Sequence, residues 1–178
     1  MANANTIYRN NEIITDKRSI YAIGVIFFIL ATILGAYVRI PVPGSPVPIT
    51  LQTFFVILSG AVLGRKLGII SMAGYLLFGG AAFFGPTFGY LAGFVLSSYI
   101  IGSMLDKKYP VLAAFIAGDA VILALGAAWL VFAFGLDPIS SVSVGVLPFI
   151  AGDVVKLAAA AIIYNKIAKR TGEIFRSR

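Results

Sequence analysis

The chain has 178 residues, 60% of them from AVILMFWYC and only 12% charged, with 14 Lys and Arg against 7 Asp and Glu. Soluble domains average about 45–50% apolar even with glycine counted and about 25% charged, so this composition requires lipid as its main solvent. It excludes a soluble enzyme, a DNA-binding domain and a disordered tail. Cysteine and histidine are absent, which removes disulfides, thiolate or imidazole metal sites and His-based acid–base chemistry.

Residues 1–18 are polar and predict a short cytoplasmic arm or surface helix. A transmembrane helix needs about 20 mostly apolar residues, within about 17–25, and six candidate spans follow in order. The first runs from about Ile20 to Val38 and ends at a proline-rich stretch, Pro41-Val42-Pro43-Gly44-Ser45-Pro46-Val47-Pro48. The second, about Ile49 to Leu63, stops at Gly64-Arg65-Lys66. The third covers about Leu67 to Phe84 and is broken by Gly85-Pro86; the fourth, about Phe88 to Leu105, closes on Asp106-Lys107-Lys108. The fifth, about Val111 to Gly135, leads into Asp137-Pro138-Ile139-Ser140, and the sixth, about Val146 to Ile167, meets a basic tail over residues 168–178. The first apolar run is too long for a cleavable signal peptide, and no small-residue cleavage site follows it.

The basic residues test this count. Six spans put twelve of the fourteen on one side, including Arg9, Arg65, Lys66, Lys107, Lys108 and Lys169. Arg39 alone faces the opposite side, and Lys156 falls within a span. Positive residues are retained on the cytoplasmic side. The expected fold is therefore an all-α integral membrane protein, a compact six-transmembrane-helix bundle over residues 19–167, with both termini cytoplasmic. The positive charge needs no nucleic-acid partner to explain it; the expected partner is the lipid bilayer.

Only Asp119, Asp153 and Lys156 bring charge inside the spans. Each costs at least about 2.5–3.5 kcal/mol on insertion scales and marks a functional site by default. Asp153 and Lys156 are three apart and share one face of the sixth span. At about 1.5 Å per residue, Asp153 lies roughly 10 Å below the outer end of that helix. The pair reads either as a self-neutralising ion pair locking helix packing or as the polar floor of a site entered from outside. In the second reading the carboxylate accepts ligand N–H groups and the ammonium holds an acceptor or a negative charge; Pro148 and Gly152 open space above it. Asp119 falls in the inner third of the fifth span, away from an outward-facing pocket, and predicts a structural role.

Arg39 stands at the entrance of the proline-rich outer loop, which is stiff and poor in donors. Thr50, Gln52 and Thr53 follow at the start of the second span. They serve either as caps and interhelical hydrogen bonds or, for Gln52 above all, as ligand contacts. Thr87 and Tyr90, in Gly85-Pro86-Thr87-Phe88-Gly89-Tyr90, put polar tips on an apolar wall. Trp129 reads as an aromatic-belt anchor, with a stacking wall for a ligand ring as the alternative. The spacings Ala31-x-x-x-Gly35 and Gly60-x-x-x-Gly64 predict close helix approach. No Gly-x-x-x-x-Gly-Lys-Ser/Thr run is present, so the chain has no ATPase loop of its own.

Five blocks together resemble the BioY family, the biotin-specific substrate-binding (S) components of energy-coupling-factor (ECF) transporters. They are Val47-Pro48-Ile49-Thr50-Leu51-Gln52-Thr53, Leu58-Ser59-Gly60-Ala61-Val62-Leu63-Gly64, Gly85-Pro86-Thr87-Phe88-Gly89-Tyr90-Leu91, Gly126-Ala127-Ala128-Trp129-Leu130 and Pro148-Phe149-Ile150-Ala151-Gly152-Asp153-Val154-Val155-Lys156. They occur in the family's order and span about Arg39 to Lys156. Two departures stand out: Phe88 replaces a glycine usual in the third block, and the loop before that block is short.

The resemblance implies a non-enzymatic six-helix S component in a prokaryotic plasma membrane. It would capture biotin from outside and dock on a transmembrane coupling subunit with two cytoplasmic ATPase subunits. It carries no cofactor and no metal. Asp153 and Lys156 would meet the ureido ring, and Arg39 would meet the valerate carboxylate. The alternatives are an S component for another vitamin such as lipoate, or a homo-oligomeric facilitator or channel.

Overall fold

Residues 6–9, 12–78 and 85–176 are described by the computed structural model. Thr6–Arg9 and Glu12–Asp16 are rich in β-branched residues, which favour extended backbone. They form strands β1 and β2 of an antiparallel pair. Of the two sequence expectations for residues 1–18, a short cytoplasmic arm or a surface helix, the helix is not formed by these described residues, where the local β preference prevails.

Helix α1 (Lys17–Tyr37) follows directly. The proline-rich loop is then pinched at its base by two-residue strands, β3 (Arg39–Ile40) and β4 (Ile49–Thr50), with Arg39 opposite Thr50. Prolines lack the N–H that a longer ladder would need, so the strands stop there.

Helix α2 (Gln52–Phe78) is interrupted at Gly64, which has φ 75° and ψ 177°, a backbone region essentially restricted to glycine. The chain reverses there. A methyl group placed on Gly68 would lie 3.2 Å from the Gly60 Cα, whereas eight residues of straight helix extend about 12 Å. Gln52 Nε2 also donates to the Tyr75 hydroxyl, 23 positions on. Residues 52–63 and 65–78 are therefore two antiparallel arms, matching the expected break at Gly64-Arg65-Lys66. The expected end of the third span, Phe84, lies outside the described residues.

Helices α3 (Phe88–Asp106), α4 (Val111–Phe134) and α6 (Leu147–Thr171) complete the bundle, and a π-helical turn spans Gly172–Arg176. By length and composition, five helical segments among the described residues can cross a membrane: Lys17–Tyr37, Gln52–Phe78, Phe88–Asp106, Val111–Phe134 and Leu147–Arg176. The arm 52–63 runs through the centre, with Val56, Ile57, Ala61 and Leu63 buried. Outward faces remain apolar, as Phe27 and Leu34 on α1, Phe132 on α4 and Val154 and Val155 on α6 illustrate. So broad an apolar exterior suits lipid rather than water.

The small-residue spacings act within the chain. Gly35 packs on the backbone of Leu51 and Gln52, and Gly60 on that of Ser98. At the Gly64 end of arm 52–63, Arg176 Nη2 donates to Gly60 O at 3.2 Å and to Ala61 O. It thereby serves carbonyls that the end of a helix leaves without intrahelical partners. Its other terminal nitrogen meets Asp106 at 3.4 Å, and Phe175 lies against Tyr21.

A short helix, α5 (Pro138–Gly145), occupies what reads as a loop in the sequence. Its signal is Asp137 followed by proline: Asp137 accepts from the backbone N–H of Ile139 and Ser140 at 3.1 and 3.0 Å. Proline occupies the first turn, where no N–H is required. Hydrogen bonds, chiefly from Ser140, hold the Asp137 carboxyl below the usual carboxylate range. The capping contribution is complete above the unfolded-state pKa and disappears as pH falls through the lowered folded value. Asp137→Ala at neutral pH, and acidification of the wild type, should each lower the protection factors (exchange relative to the intrinsic rate at the same pH) of the Ile139 and Ser140 amides, while those of α6 amides are kept. Unchanged protection at both positions would show that the cap is idle.

Candidate functional site

A cavity opens beneath the β3–β4 clasp, between the arm 52–63, α3, α4 and α6. It holds about 440 Å3 of free space, its open mouth included. Phe94, Ile122, Leu123 and Phe149 give it an apolar wall. Seven polar or charged side chains interrupt that wall: Thr50, Gln52, Thr53, Thr87, Tyr90, Asp153 and Lys156.

The floor comes from α6, whose inward positions repeat at helical spacing. Phe149, Asp153, Leu157, Ala160 and Tyr164 are all buried, one stripe of a 3.6-residue period. Asp153 is only 3% exposed. Lys156 Nζ donates to Asp153 Oδ1 at 2.8 Å and to Thr53 Oγ1 at 3.0 Å. An ammonium has three donors, so one remains for a ligand. Asp153 Oδ2 is buried and has no hydrogen-bond partner among the described residues. The pair is thus both an ion pair and half-committed: one donor and one acceptor are left over at a cavity floor.

Other polar residues are more fully engaged. Gln52 accepts from Thr50 Oγ1 at 3.0 Å and donates to Tyr75, a residue to which sequence reasoning gave no role. Tyr90 Oη donates to Gly145 O at 2.6 Å, tying α3 to the end of α5, and its ring lies 5.9 Å from that of Phe149. Tyr90 therefore offers the cavity its ring face.

The structure brings five of the seven expected site residues to the lining of one cavity: Gln52, Thr87, Tyr90, Asp153 and Lys156. It does not bring Arg39 or Trp129 there. Arg39 is exposed, its Nε donating to Ala36 O at 3.2 Å, and reaches the site only as the strand partner of Thr50. Trp129 donates from Nε1 to Gly85 O at 3.0 Å and packs 4.8 Å from the Phe88 ring, pinning the turn that precedes α3.

Asp119, expected away from the pocket, is not among the cavity-lining residues. It lies one turn below Ile122 and Leu123 on α4 and is 6% exposed, so it does not snorkel.

Chemically, the site offers an apolar slot ending in fixed hydrogen-bonding groups of both kinds. This suits a small, flat, partly apolar molecule with N–H and C=O groups at one end.

A profile of the BioY family matches residues 9–173. The chain is 40% identical over 158 residues to a biotin transporter BioY of Thermotoga maritima, covering 80% of this chain and 92% of that one. It is 36% identical over 160 residues to a probable biotin transporter BioY of Pyrococcus horikoshii, covering 83% and 95%. The fold is similar to the crystal structure of the S-component for biotin from an ECF-type ABC transporter. That match has a TM-score of 0.75 at 26% identity and covers 92% of this chain and 95% of that chain.

Proposed function

The chain belongs to the BioY family, and we propose that it is the S component of an ECF-type transporter, capturing biotin on the outer side for ATP-driven uptake. The observation that carries this reading is the half-committed Asp153–Lys156 pair at the bottom of an apolar slot. The ureido group of biotin has N–H donors for the free Asp153 oxygen and a strong acceptor for the spare Lys156 N–H. The thioether ring and aliphatic chain fit the wall of Phe94, Ile122 and Phe149.

We assign six crossings, counting the two arms of α2 separately on either side of the reversal at Gly64. Both termini then lie in the cytoplasm of a prokaryotic cell, with the basic residues. ATP hydrolysis belongs to partner subunits: two cytoplasmic ATPases acting through a transmembrane coupling subunit. The chain itself binds and releases without catalysing a reaction. Arg39, facing outward beside Thr50, is the cation assigned to the valerate carboxylate.

Titration of the purified protein with biotin, lipoate and thiamin tests the reading. Biotin should bind saturably and at least about tenfold more tightly than either competitor, a difference of about 1.4 kcal/mol. Preference for lipoate, or no binding of biotin, would refute it. In the same assay Arg39→Ala should weaken biotin far more than biotin carboxamide; equal losses would remove Arg39 from the site.

A further inference from the structure

A lysine on its own is a loose anchor. Its ammonium rides on a flexible four-carbon stem and carries three donors that rotate about Nζ. In this cavity two acceptors hold it. Asp153 Oδ1, at 2.8 Å, stands three residues back on the same helix, so it ties Nζ only to α6. Thr53 Oγ1, at 3.0 Å, comes from the first turn of α2, 103 positions away in the chain. All three residues line the cavity, and the Lys156 side chain is 11% exposed. An acceptor on a separate element removes the swing that the Asp153 contact alone would allow. With two of its tetrahedral directions taken, the direction of the third N–H is set.

Thr53 is itself firmly placed. Leu51 N–H, just before α2, donates to Gly35 O and Val38 O at 3.2 Å each, and Gly35 packs on the Leu51 and Gln52 backbone. The start of α2 is thus fastened to the end of α1. The ordinary use of a helical threonine hydroxyl is to donate to a carbonyl three or four residues back. Thr32 donates to Phe28 O and Thr171 to Ile167 O in that way. Four residues before Thr53 stands Ile49, in β4 and outside the helix, and the Thr53 oxygen serves α6 instead. Capping does not account for it either, since Leu51 precedes the first helical residue.

The chemical consequence follows from the donor count. Asp153 and Lys156 together carry no net charge, and Thr53 occupies an N–H that would otherwise stay open. One open donor matches one neutral acceptor, such as a carbonyl oxygen. An ammonium with two open N–H groups matches a carboxylate, which offers two oxygens and a charge.

We propose that Thr53 is a positioning residue: it aims the open Lys156 N–H at the carbonyl oxygen of the ligand and so tunes the cavity floor to a neutral cyclic urea in preference to a carboxylate. The inference rests on the biotin reading and adds to it a selectivity element on α2.

The test measures affinities of the wild type, Thr53→Val and Thr53→Ser for three ligands. They are biotin, 2-thiobiotin, whose sulfur is a weak acceptor in place of the ureido oxygen, and lipoate, whose polar end is a carboxylate. The wild type should prefer biotin to 2-thiobiotin. Thr53→Val should bind biotin about 10–100-fold more weakly, a loss of the size expected for one hydrogen bond to a charged group. It should also discriminate less between oxygen and sulfur, and the gap between biotin and lipoate should narrow. Thr53→Ser keeps the oxygen and should restore affinity and both preferences. A merely structural role would lower all three affinities together. Unchanged biotin affinity in Thr53→Val, a loss that leaves either preference intact, no rescue by serine, or a wild type indifferent to sulfur each overturns the assignment and leaves the biotin reading standing. A wild type that does not bind biotin overturns that reading itself. If Thr53→Val does not fold, Thr53→Ala takes its place in the comparison with Thr53→Ser.

Discussion

Lys156→Met should destabilise the protein by about 3–5 kcal/mol, the usual cost of leaving one member of a buried ion pair alone, and should abolish biotin binding. The magnitude follows from geometry: Asp153 is 3% exposed, and Lys156 Nζ at 2.8 Å is its only hydrogen-bond partner among the described residues. Adding Asp153→Asn to Lys156→Met removes the stranded charge and should recover most of the lost stability but none of the binding. Chemical unfolding in nanodiscs, paired with biotin titration of the same samples, separates the two effects. A single variant as stable as the wild type would show that the carboxylate finds another partner, and the account of the floor would be wrong.

The second large effect is expected at Gly102. A methyl group there would lie 2.6 Å from the Arg65 Cα and 2.7 Å from the Gly64 carbonyl carbon. Both are backbone atoms, and Gly64 itself occupies a conformation that larger residues avoid. Neither side of the contact can give way by rotating a side chain, so α3 must move off the α2 reversal. Overpacking typically costs about 1–3 kcal/mol and occasionally more; Gly102→Ala should fall at the upper end, and Gly102→Val should fail to yield folded protein. Gly172→Ala, where nothing lies within 4 Å, serves as the control. Thermal melting followed through Trp129, the one tryptophan of the chain, reports both. A Gly102→Ala protein that melts with the control would mean that α3 and the reversal are not in van der Waals contact.

Much of this architecture is legible in the sequence, because charges and prolines fall where apolar runs end. The break at Gly64-Arg65-Lys66 separated the arms of α2 correctly, because Gly64 is where the backbone leaves helical geometry. Asp153 and Lys156 were legible because charge inside an apolar span has few innocent explanations. What escaped depends on neighbours distant in sequence. Tyr75 faces Gln52 only because the chain turns back on itself. Trp129 is held by Gly85, 44 positions away, a contact that pattern alone could not distinguish from an interfacial anchor. The strands before α1 and the short α5 are different cases: their signals, β-branched runs and an Asp-Pro cap, are present in the sequence but weaker than those of the long apolar segments around them.

The clasp between Arg176 and the carbonyls of Gly60 and Ala61 joins positions 116 and 115 residues apart. It therefore cannot form until residue 176 has been synthesised, long after the central arm has been made. Until then the Gly60 and Ala61 carbonyls lack that donor. Folding of this protein accordingly includes a late step, in which the turn that follows α6 fastens the most deeply enclosed helical arm.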